Sequence, residues 1–78
     1  DEHAVQTAFA GLMNADSIQE VQALVEQYPF LRDARFAAAV EQFIQAQVPA
    51  AEREHYAQRL AWLRQIVTEE DPKGFENL

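Results

Sequence analysis

The stretch from Glu54 to Glu69 constrains this chain more than any other. At about 100° per residue, Tyr56, Leu60, Leu63 and Val67 fall on one face of a helix. Gln58 and Gln65 fall on the opposite side. Trp62 and Ile66 form a second apolar strip, roughly 100° from the centre of the first. A helix with two apolar strips needs two neighbours, and the remaining residues have to supply them.

Upstream, three further helical patterns are legible. His3 to Asn14 reads as a helix with Val5, Ala8, Phe9, Leu12 and Met13 on its apolar face. Gly11 weakens it by about 1 kcal/mol relative to Ala, unless close packing needs the missing side chain. Ser17 and Glu20 have capping-box spacing and open a second helix that runs to about Tyr28. Pro29 stops it, because the residue before a proline is pushed away from helical dihedrals. Phe30 and Leu31 then sit in a turn, where large apolar residues plug the end of a core. Asp33 is placed as the N-cap of a third helix over Ala34 to about Gln47. Phe36, Val40, Phe43 and Ile44 form its stripe, and Ala37, Ala38 and Ala39 permit close approach. Pro49 marks the junction to the fourth helix, which runs to about Glu69. Asp71-Pro72 has the pattern of a fresh helix start, with the proline at the first helical position.

Composition narrows the function classes. Thirteen acidic residues against six basic ones give a net charge of −7. That disfavours a phosphate backbone, which is held by Lys and Arg, and it disfavours anionic lipid. No apolar run approaches the roughly 20 residues a bilayer needs. Only two glycines and no cysteine occur, so helix is favoured and no thiolate or disulfide is available. The chain begins Asp1-Glu2-His3 without a signal-peptide pattern. It therefore reads as one helical domain over 1–78, either a processed product or a fragment of a longer repeat-containing protein, and is expected to be cytoplasmic.

Phe9 and Leu12 are echoed by Phe75 and Leu78, each pair three apart after a small residue. The echo suggests a four-helix unit followed by the start of the next, as in stacked helical arrays. An offset of 34 residues superposes Phe9 on Phe43 and Glu20 on Glu54 but few other apolar positions, so a plain tetratricopeptide pair is not indicated. The segments Ala8-Phe9…Leu12, Ala15-Asp16-Ser17, Leu24-Val25-Glu26-Gln27-Tyr28-Pro29-Phe30-Leu31 and Arg59-Leu60-Ala61-Trp62-Leu63-Arg64 resemble a tetratricopeptide-like helical repeat of large bacterial multidomain proteins, which can accompany CHAT-type protease or signalling domains. The junction around Pro49 departs from the polar, Gly-containing turn of such repeats. The resemblance implies a scaffold role and supplies no catalytic residue.

Chemistry-bearing motifs are sparse. Glu52-Arg53-Glu54-His55 contains one Glu-x-x-His, a spacing used twice over in di-iron bundles. His3 has no Glu three residues before it, so the second copy is missing. Ser17 is the only serine and is explained by its cap. No Gly-rich phosphate loop occurs. Glu69-Glu70-Asp71 reads as a solvated helix end or a patch for a basic partner.

The expected fold is all-α: four antiparallel helices plus the start of a fifth, as a helical-hairpin array or small bundle, because short connections force antiparallel neighbours. The expected core is Val5, Phe9, Leu12, Ile18, Val21, Val25, Tyr28, Phe36, Val40, Phe43, Ile44, Tyr56, Leu60, Leu63 and Val67. The expected function is non-catalytic protein interaction or scaffolding, without a cofactor. Trp62, Ile66, Phe75 and Leu78 are the candidate partner-binding residues. Partners would be another protein, adjacent repeats of the same chain or a second copy, with no nucleic acid and no membrane. The alternative is a small metal-binding or hydrolytic bundle using Glu52, His55 and His3.

Overall fold

The computed structural model describes residues 2–70, which form α1 (Glu2–Met13), α2 (Ile18–Gln27), a 3-10 turn (Pro29–Arg32), α3 (Ala34–Gln47) and α4 (Ala50–Glu70). The fold is all-α, with no strand among the described residues. The helix start expected at Pro72, with Phe75 and Leu78, lies outside them.

Local signals set the helix ends. Ser17 has extended backbone and accepts a hydrogen bond from the Glu20 backbone N–H at 3.4 Å, the first arm of the expected capping box. The Tyr28 N–H donates to the Leu24 carbonyl at 2.7 Å and ends α2. Pro29 then opens the 3-10 turn, where its missing N–H leaves no helical bond unmade. Leu31 in this turn is fully buried, the plug that the sequence implied, while Phe30 is half-buried between the rings of Tyr28 and Phe36.

Asp33 caps α3. Its carboxylate accepts from the Arg35 backbone N–H at 2.8 Å and from the Arg35 guanidinium at 2.7 Å. Those side-chain bonds, then the backbone bond, lower its pKa from 3.8 to about 2. A depressed carboxylate contributes stability above its unfolded pKa and loses it as pH falls through the folded value. Wild type is therefore expected to exceed Asp33→Asn in stability by a constant margin above pH 4, since Asn still caps. That margin should vanish between about pH 4 and pH 2. Urea melts of both proteins across that range test it, and a margin independent of pH would show that Arg35 does not hold the carboxylate.

Two residues, Val48 and Pro49, join α3 to α4. The Arg53 Nε–H donates to the Val48 carbonyl at 3.0 Å, and the Glu52 N–H to that of Pro49 at 2.9 Å. Along the α3–α4 seam, Ala37 lies beside Leu63 and Val67, Glu41 pairs with Arg64 at 2.9 Å, and Ile44 lies beside Leu60. One number rises as the other falls, so these two helices run antiparallel. α1 and α2 approach closely at Gly11, where a Cβ would stand 2.9 Å from Leu24 Cδ2. That contact explains a glycine inside a helix, since the missing side chain lets Leu24 lie against the α1 backbone.

The core is centred on Leu12, Val21, Val25, Leu31, Val40 and Leu63, with Ala8, Ala15, Ala37, Ile44, Val48, Leu60 and Ile66 completing it. Two expected core residues are displaced to the surface: Val5 is 42% exposed and Phe43 39%. Phe9, Ile18, Tyr28, Phe36, Tyr56 and Val67 are half-buried against the core. The reason is steric. Helices meet where side chains are small, so Ala8 and Ala15 of the first helical hairpin and Ala37 of α3 occupy the centre of the interface. The phenylalanines of α1 and α3 line its edge.

α4 corrects the two-strip reading. Leu60, Leu63 and Ile66 are all buried, and so is Arg59 at 8% exposure. At about 100° per residue, Arg59 falls between the two strips. The strips are one continuous buried face, and Arg59 is embedded in it.

Candidate interaction surface

The candidate residues on α4 separate in the structure. Ile66 is 5% exposed and belongs to the chain's own core, so it presents no strip to a partner. Trp62 is half-buried against that core, with the Arg59 guanidinium 5.4 Å from its ring centroid. Phe75 and Leu78 lie outside the described residues. Arg59 is the least expected member of this face. Its Nη1–H donates to the His55 carbonyl at 2.7 Å, while its buried Nε–H has no acceptor. No carboxylate forms an ion pair with it among the described residues.

The residues of the metal-binding alternative are dispersed. Glu52, His55 and His3 are all exposed, His3 on α1 and the other two on α4. The His55 ring lies edge-on to Tyr56 at 5.2 Å. No group of three His, Asp or Glu side chains suited to a metal ion occurs among the described residues. Ser17 is engaged as a helix cap, and Glu69 accepts from the Gln65 side chain at 3.4 Å. Among the described residues, no helix is long and apolar enough to cross a membrane.

Several grooves run between the helices, among them two that border the α3–α4 hairpin. The first, about 570 Å³, follows the α3–α4 seam over Ile44, Ala57, Leu60 and Ala61. It is bridged by the Arg64–Glu41 ion pair and rimmed by Gln45, Arg53 and Glu54, and it holds no exposed large hydrophobic side chain.

The second groove, about 290 Å³, opens where α1, α3 and α4 meet, between Phe9, Met13, Phe43, Val48, Glu52 and Tyr56. Phe9 and Phe43 meet edge-to-face, with ring centroids 4.9 Å apart at 87°. Such aromatic pairs add about 0.5–1.5 kcal/mol beyond burial, which holds Phe43 in place although it is exposed. Val5 lies one turn above Phe9 on α1 and extends the patch. Val5 and Phe43 are the exposed large hydrophobic side chains of the described residues, and both are in this region.

Sequence reasoning had assigned this surface to the core. A signal was available in α1 and α3, whose apolar arcs are wider than one neighbouring helix covers. The line Val5–Phe9–Met13 flanks the Ala8–Leu12 line instead of lying on it. No protein-family model, curated protein or solved structure matches this chain.

Proposed function

We propose that this chain is a non-catalytic protein-interaction module of scaffold type, and that the Phe9–Phe43 groove is its contact surface. One observation carries the reading: Phe43, an aromatic residue 39% exposed, is fixed edge-on to Phe9 beside an apolar concavity. Ordered, exposed aromatic groups beside a pocket are where binding energy concentrates. A neighbouring repeat of a longer helical array is one form such a partner can take, in keeping with the tetratricopeptide-like resemblance.

Selection from a displayed library of helical peptides tests this reading, with wild type and Phe43→Asp as paired targets. Phe43 is exposed enough for the variant to fold, which circular dichroism verifies. Wild type is expected to enrich peptides that the variant does not retain. A library that yields no peptide distinguishing the two proteins would reject the groove as an interaction surface.

A further inference from the structure

We infer that the partner of the Phe9–Phe43 groove is an amphipathic helix that carries positive charge beside its apolar face. The inference rests on the interaction reading above and adds the chemistry of the partner.

The electrostatics of the groove are one-sided. Glu52 is the only acid or base among its lining residues, beside Gln47 and the Tyr56 phenol. α1 ends at Met13 and α3 at Gln47, both in the groove wall. A helix C-terminus presents free carbonyls and partial negative charge. Neither helix has a basic residue in its last turn, but the Arg53 guanidinium offsets the α3 end at the Val48 carbonyl, so the α1 end is the one left without a cation. The N-terminus of α4 brings positive partial charge to the same place, and Glu52 in its first turn offsets that. The wider charge has the same sign: the chain carries a net −7, and α1 has Glu2 but no Lys or Arg. Arg53, next to Glu52 in sequence, is turned to the Val48 carbonyl and lines the other groove.

Geometry selects a helix as the occupant. The described residues offer no strand edge for an extended peptide to pair with. Val5, Phe9 and Met13 are spaced four apart, giving a ridge with about 6 Å between successive side chains. The turns of a second helix match that spacing. A second copy of this chain fits poorly, because a symmetric contact would set Glu52 against Glu52 between two molecules of net charge −7.

Two synthetic peptides of about 18 residues, long enough to be helical, supply the test. Both carry Leu at i, i+3, i+4 and i+7; one has Lys and the other Glu on the remaining face. Met13 is the only methionine and Trp62 the only tryptophan. The Met13 methyl therefore reports on the groove by NMR, and the Trp62 indole, which does not line it, reports elsewhere. The Lys peptide is expected to shift Met13 and leave Trp62 in place, and the Glu peptide to bind at least about tenfold more weakly. Phe43→Asp should weaken the Lys peptide about tenfold even though it adds negative charge. Glu52→Gln should weaken it several-fold. Equal affinity for the two peptides would overturn the charge inference and leave the interaction reading intact. Tighter binding of the Lys peptide to Phe43→Asp would show attraction to bulk charge and overturn the site. A Met13 shift that depends on protein concentration without peptide would make the occupant a second copy and also overturn it.

Discussion

Leu63→Ala is expected to destabilise the protein by about 2–5 kcal/mol, as truncating a fully buried leucine does. Leu63 is 1% exposed and lies mid-way along α4, where α2 and α3 both press on that helix. Its neighbours belong to several elements, so no single side chain can move in to fill the space. A domain of this size has stability on the order of 5–10 kcal/mol, so the loss takes a large share of the total. Phe43→Ala makes the comparison informative. Sequence periodicity gives Phe43 the same rank as Leu63. Its exposure and edge contact with Phe9 reduce the expected cost to about 1–2 kcal/mol. Urea melts of the three proteins would rank them, and a larger loss for Phe43→Ala would mean that the Phe9–Phe43 pair, not the α4 seam, holds the helices together.

Arg59→Met is expected to stabilise the protein by about 1–2 kcal/mol. A charge taken out of water costs several kcal/mol unless a well-placed partner offsets it. Arg59 has the His55 carbonyl and the Trp62 ring face, worth about 0.5–2 kcal/mol, and its Nε–H has no acceptor. Methionine keeps the length of the unbranched stem and removes the charge. Its sulfur can still make a favourable contact with the Trp62 ring. The His55 carbonyl keeps its helical hydrogen bond. For a chain of this length the gain corresponds to a rise in Tm of roughly 5–15 °C. Thermal melts by circular dichroism would measure it, and an equal or lower Tm for Arg59→Met would show that the guanidinium is fully satisfied where it lies.

Arg59 also shows where a sequence is opaque. The limits of α3 and the cap of α2 were legible because each rests on a few adjacent residues: Asp33 at the start of α3, Pro49 beyond its end, and Ser17 three residues before Glu20. The buried turn residue Leu31 was legible for a similar reason, since an apolar pair beside a proline has few other uses. Burial around the helix circumference depends instead on which neighbour arrives and how closely. Arg59 falls between the two apolar strips of the sequence pattern, and the helices close over it. Phe9 and Phe43 fit the apolar periodicity of their helices and so read as core, but their size sets them at the edge while Ala8 and Ala37 take the close contact. Thus helix identity and most of the core could be read in advance, whereas the candidate surface could not. It is defined by the apolar residues left over once α4 has packed against α1, α2 and α3.

The two-residue connection between α3 and α4 also bears on how fast the chain finds its fold. α4 packs most extensively on α3, its immediate predecessor, so much of the interface forms between segments near each other in sequence. Little loop entropy is lost before those contacts form, and helical chains of this type fold in microseconds to milliseconds. The α1–α4 contacts span nearly the whole described chain and should form last. Leu63→Ala should therefore mainly slow folding, whereas Leu12→Ala on α1 should mainly accelerate unfolding. Stopped-flow or temperature-jump chevrons would separate the two, and matching effects on both rates would place α1 in the transition state alongside the α3–α4 hairpin.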